Sequence, residues 1–110
     1  MGQGWIGVDL DGTLADTSKP PVLGSIGPPV EKMVARIRKW IEEGIEVRIV
    51  TARVAWNADQ VPMIGAYLHA FVTDKDLIIT AFKDYEMLEL WDDLAVQVVR
   101  NTGERADGLD

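Results

Sequence analysis

The 110-residue chain carries eleven Lys and Arg against eighteen Asp and Glu, a net charge of −7 at pH 7, with 47% hydrophobic residues and no cysteine. That length holds one domain, residues 1–110, with a modest core; the apolar content argues against disorder, and zero cysteines exclude disulfides, thiolate catalysis and thiolate zinc sites. No apolar run approaches the roughly 18 residues of a membrane span, the acidic balance disfavours long nucleic acid, and with no signal-like segment before Trp5 the cytoplasm is the expected compartment.

Trp5 to Leu10 is a short apolar run ending in acidic residues, as expected of a strand buried on both faces. Lys19 to Pro29 holds four of the five prolines and two glycines and reads as a surface loop. Pro29 and Glu31 suit a helix N-terminus, and Val30, Met33, Val34, Ile37 and Ile41 recur at helical spacing until Gly44. Ile45 to Val50 predicts a second strand, with Thr51-Ala52-Arg53 at its C-terminal edge and a second helix over about 57–70. Leu77 to Phe82 predicts a third strand leading to Lys83, one helical turn follows, Leu88 to Trp91 a fourth strand closed by Asp92-Asp93, and Ala95 to Val99 a fifth. Residues 101–110 are polar, contain glycine and read as a flexible tail.

Strands alternating with helices argue for an α/β domain with a mainly parallel sheet and right-handed crossovers. Ligands of such sheets bind beyond the carboxyl ends of the strands. Asp9 and Asp11, Thr51, Lys83, Asp92 and Asp93 each follow a predicted strand, so all are expected at one edge. Two aspartates at i and i+2, followed by Gly12-Thr13, allow one carboxylate and a neighbouring backbone carbonyl to face a cation. Mg²⁺ prefers such hard oxygens and screens the repulsion between an attacking carboxylate and a phosphate. One carboxylate can accept a phosphoryl group while the second protonates the leaving oxygen and later deprotonates water. The Thr51 hydroxyl, the Lys83 ammonium and N–H groups around Leu10 to Gly12 are candidate donors to the transferring charge, with Thr13, Ala52 and Arg53 beside them. Asp92 would complete the metal site, supported by Asp93.

These residues resemble the motifs of the haloacid dehalogenase-like superfamily of phosphohydrolases over most of the chain. Val8-Asp9-Leu10-Asp11-Gly12-Thr13-Leu14 is similar to its first motif, Ile49-Val50-Thr51 to its second, Lys83 to its third and Asp92-Asp93 to its acidic fourth. The resemblance implies a three-layer Rossmann-like fold, Asp9 as nucleophile, Asp11 as acid/base, Thr51 and Lys83 on the phosphate, and Mg²⁺ on Asp9, the Asp11 carbonyl and Asp92. An aspartate at position 11 resembles the phosphatase members rather than the dehalogenases.

Only about 15 residues separate Thr13 from the first helix, and no long insertion follows Thr51, so the chain looks like a capless member. Its open site would accept a phosphorylated small molecule or nucleotide, with the Lys19 to Pro29 loop or a second copy of the chain in a homo-oligomer as the available covers. The competing expectation from another class is a noncatalytic module that keeps the fold for Mg²⁺ or phosphate binding. His69 lies within the helical pattern of Ile64, Leu68 and Phe71 and reads as a helix-surface or packing residue rather than a catalytic one. Trp56, just beyond the expected edge, reads as partly buried, with a substrate platform as the alternative.

Overall fold

A computed structural model describes residues 4–109, in the order β1 (Trp5–Val8), α1 (Glu31–Glu42), β2 (Glu46–Val50), α2 (Ala52–Trp56), α3 (Gln60–Phe71), β3 (Ile78–Thr80) and β4 (Met87–Trp91). All four residues of β1 are buried, as a central strand requires. α1 turns Met33, Val34 and Ile37 inward, places Glu31 in its first turn and Lys39 in its last, and so complements its own dipole. It stops where Gly44 adopts φ +81° and donates its N–H to the Ile41 carbonyl at 3.0 Å.

The four strands form one parallel sheet in the order β3-β2-β1-β4. The chain moves outward from β1 through β2 to β3 and then returns to the other side of β1. The strand order therefore reverses between β1 and β4. In open α/β sheets the crevice beyond the carboxyl ends at such a reversal is where ligands bind.

Side chains alternate across the sheet. Ile6, Val8, Val47 and Ile49 join Met33, Val34 and Ile37 of α1 and Ile64, Tyr67 and Leu68 of α3 in one core. Both long helices thus cover the same face. On the opposite face Trp5 is 1% exposed without a helix above it. The Arg48 guanidinium lies 4.5 Å from its ring centre, and its indole N–H donates to Asp84 at 2.8 Å. Gly7 stands between Trp5, Val50 and Leu90 there, with no room for a Cβ at ordinary separation.

Three expected elements differ. The second helix is split: the Thr51 hydroxyl accepts the Arg53 N–H at 3.1 Å and starts α2 early. Asn57 is then extended, with its side chain accepting the Asp59 N–H at 2.9 Å, and α3 begins at Gln60. Pro62 sits in the first turn of α3, where its missing N–H costs nothing. The fifth strand over 95–99 does not join the sheet. Val98 instead bridges Arg105 antiparallel, with the Val99 N–H on Glu104 O at 2.7 Å and the Ala106 N–H on Gln97 O at 2.8 Å. The β-branched run satisfies its backbone locally with the residues read as tail, of which Asp110 lies outside the described residues. Third, a turn at Tyr85–Glu86 replaces the helical turn after Lys83. Among the described residues no helix is long and apolar enough to cross a membrane.

Candidate metal and phosphate site

β1 ends at Val8 and β4 at Trp91, and the Asp9 N–H donates to the Trp91 carbonyl at 2.9 Å. This bond sets the two strand ends side by side, so the next residues of each chain segment, Asp9 and Asp92-Asp93, converge. Each of these three aspartates offers a carboxylate oxygen, and the three oxygens lie within 4.8 Å of one another. The turn after Asp9 is tied by Ala15 N–H to Leu10 O at 2.8 Å and by Gly12 N–H to Ala15 O at 2.9 Å. Gly12 is required twice over: its φ is +88°, and a Cβ there would stand 2.5 Å from an Asp93 carboxylate oxygen. Thr13 Oγ1 donates to Asp93 at 3.2 Å and orients it.

Burial pushes the Asp9 carboxyl up to about 7, helped by its hydrogen bond with Asp93 and by the charge of Asp92; the Leu10 N–H opposes the shift. No positive charge offsets these effects. Among the described residues no Lys, Arg or His pairs with Asp9, Asp92 or Asp93. Three converging carboxylates with no cation paired to them among the described residues are a donor set that could hold a metal ion. The Asp11 carbonyl accepts no hydrogen bond from the described residues and adds a further oxygen.

The Asp11 carboxylate stands apart from this cluster. Arg53 grips it through Nε at 2.7 Å and Nη2 at 2.9 Å. The same guanidinium donates through Nη1 to Ser25 Oγ at 2.7 Å and Gln60 Oε1 at 3.2 Å, and through Nη2 to the Ser25 carbonyl at 3.1 Å. All five of its N–H donors are therefore engaged inside the protein, and the pairing raises the Arg53 pKa further. An expected phosphate contact by this side chain has no donor to spare. Of the other expected donors, the Leu10 N–H serves Asp9, Gly12 N–H serves Ala15, and the Thr13 N–H reaches Leu10 O at 3.3 Å. Thr51, 2% exposed, keeps its own O–H to donate, and the Ala52 N–H has no partner among the described residues.

Lys83 is not brought to the cluster. It lies on the segment descending from the top of β3 to the bottom of β4, one residue before Asp84, which bonds Trp5 and Arg48 on the far part of the sheet. A three-residue β3 followed directly by β4 leaves no helix to return the lysine to the edge. Its side chain is exposed and unpaired among the described residues.

Sequence reading missed Ser25, Gln60 and Tyr67. Ser25 sits in a loop whose composition signals only irregular structure, and Gln60 opens a helix expected to be already under way. Tyr67 continues the Ile64-Leu68-Phe71 face and looks apolar, yet its buried hydroxyl has no hydrogen-bond partner among the described residues. Burial first, then the charges of Asp11 and Glu31, push the Tyr67 phenol up to about 12. His69 pairs with Asp76 at 2.8 Å on the exposed side of α3. Trp56 is 79% exposed, contrary to the expectation of partial burial. Set against protein-family models, curated proteins and solved structures, the chain matches none.

Proposed function

We propose that the chain is a Mg²⁺-dependent phosphatase that hydrolyses a phosphate monoester of a small metabolite or nucleotide through a phospho-Asp9 intermediate. The observation that carries this reading is the convergence of Asp9 with Asp92 and Asp93 at the reversal of strand order, with Asp11 two residues away. We further read the fold as a capless form of the haloacid dehalogenase-like domain, its third layer reduced to the segment that crosses Trp5 and Arg48.

Asp9, Asp92 and the Asp11 carbonyl would hold Mg²⁺, with Asp93 in support; the ion supplies positive charge that lets a carboxylate approach a phosphate dianion. Asp9 attacks phosphorus; the Oδ–P bond forms as the bond to the leaving oxygen breaks, and Asp11 delivers a proton to that oxygen. A water molecule then attacks the phosphorus, gives its proton to Asp11, and releases inorganic phosphate as the Oδ–P bond breaks. Thr51 O–H, Ala52 N–H and the Asp11 N–H, which has no partner among the described residues, are the donors left for the phosphoryl oxygens. The buried environment that raises Asp9 disfavours its bare anion, and a bound cation would offset that by favouring the charged nucleophile.

The test is phosphate release from sugar phosphates, nucleotides and phosphorylated oligonucleotides, with Mg²⁺ or EDTA. Asp9→Asn should abolish turnover, and Asp11→Asn should lower it by about 10²- to 10⁴-fold. One observation favours the second reading, a noncatalytic Mg²⁺ or phosphate-binding module: among the described residues no Lys or Arg pairs with the cluster. Wild type that binds Mg²⁺ but is as inactive as Asp9→Asn across the panel would favour it.

A further inference from the structure

Ser25 and Gln60 have no place in the transfer scheme, yet together they accept three of the five hydrogen bonds that Arg53 donates. Their own positions are firm. Ile26, next to Ser25, is fully buried in the core, the Asp16 N–H donates to Pro28 O at 2.8 Å across the loop stem, and Gly24, at φ +55°, lies against Met63 of α3. Ser25 presents both its hydroxyl and its carbonyl from this anchored turn, while Gln60 presents its amide oxygen from the first turn of α3. A planar guanidinium held by acceptors on two separate elements has one orientation, and its remaining fork then dictates where the Asp11 carboxylate stands. The Asp11 side chain still keeps 36% of its surface exposed, so it faces the open edge while being held from behind.

We propose that Arg53 is a positioning residue, seated by Ser25 and Gln60, that fixes Asp11 for proton transfer and does not bind the substrate phosphate. This rests on the phosphatase reading. The apolar-anchored loop over 16–29 is then part of the catalytic support: it acts on the reaction through Arg53 and Asp11. Loss of the fork should damage both steps that move a proton through Asp11, departure of an alkoxide and attack of water, and spare the departure of a leaving group that needs no proton.

The experiment compares an alkyl phosphate, whose leaving oxygen must be protonated, with 4-nitrophenyl phosphate, whose leaving group departs as an anion. In rapid mixing, Arg53→Gln and Arg53→Lys should lower the rate of phospho-Asp9 formation from the alkyl ester by about 10²-fold and the rate of the 4-nitrophenolate burst by less than about threefold, with inhibition by inorganic phosphate unchanged. Combined Ser25→Ala and Gln60→Ala should reproduce roughly a tenfold part of that selective loss. An equal loss on both esters in that first step, or weaker inhibition by inorganic phosphate in Arg53→Gln, would overturn the proposal. A turnover-free readout is the Arg53 Nε–H resonance of the whole chain. It should exchange slowly, change in Asp11→Asn and in Ser25→Ala, and stay in place on adding Mg²⁺ with inorganic phosphate. If wild type hydrolyses neither ester, the phosphatase reading fails by itself. A resonance that is absent, indifferent to Ser25→Ala, or shifted by phosphate overturns the positioning role.

Discussion

At the scale of single residues, the raised Asp9 carboxyl makes stability depend on pH. With a folded value of about 7 against an ordinary 3.8, the native state binds more protons than the unfolded chain between those limits. The stabilisation is complete below about pH 4 and is lost as pH rises through about 7. In EDTA, thermal or urea unfolding should therefore show wild type losing about 1–2 kcal/mol from pH 4 to 8, after allowance for solvent screening. Asp9→Asn should flatten that slope and exceed wild type in stability at pH 8. Mg²⁺ should restore wild type at pH 8 and leave Asp9→Asn nearly unmoved. Tyr67 gives the opposite kind of test. Its hydroxyl lies buried without a partner, so Tyr67→Phe removes a group that was desolvated for no return. Urea unfolding should find the variant equal to wild type or more stable by up to about 1 kcal/mol. The Asp9 signature could be read from sequence because acidic pairs after an apolar run are distinctive. The hydroxyl of Tyr67 could not, because nothing in a helical pattern reveals what stands opposite one atom.

At the scale of elements, β1, α1, β2 and β4 follow from local pattern: an apolar run or a helical repeat bounded by Pro, Gly or charge. What the pattern does not contain is the separation of α2 from α3, which depends on the Thr51 cap and the Asn57 turn, or the fate of 95–99, which depends on whether a sheet edge is offered to it. The site was legible where a strand end alone sets position, at Asp9, Thr51, Asp92 and Asp93. It failed at Lys83, whose place is set by the path between β3 and β4. Thr51→Ala should cost about 1 kcal/mol through loss of the α2 cap, with Thr51→Ser recovering most of it. Gly12→Ala meets both a positive φ and the Asp93 carboxylate. It should destabilise the fold by about 1–2 kcal/mol, and calorimetry should show Mg²⁺ affinity weakened at least about tenfold as Asp93 is displaced.

Across the whole molecule, a net charge of −7 on 110 residues opposes compaction. Raising monovalent salt from about 0.05 to 0.5 M should raise the melting temperature by about 2–5 °C in EDTA. The gain should shrink in a variant carrying both Asp92→Asn and Asp93→Asn, where the densest part of that charge is gone. The order of strands has a further consequence, for synthesis. β1 leaves the ribosome well before its neighbour β4, and the contacts beside their pairing, Trp5 with Asp84 and Thr13 with Asp93, span 79 and 80 positions. A nascent chain thus carries Asp9 without its partner carboxylates until Asp92 and Asp93 have been made. On the proposed reading, metal capture would wait for β4, and chains halted before Met87 should bind no Mg²⁺ even where α1 and β2 have already formed.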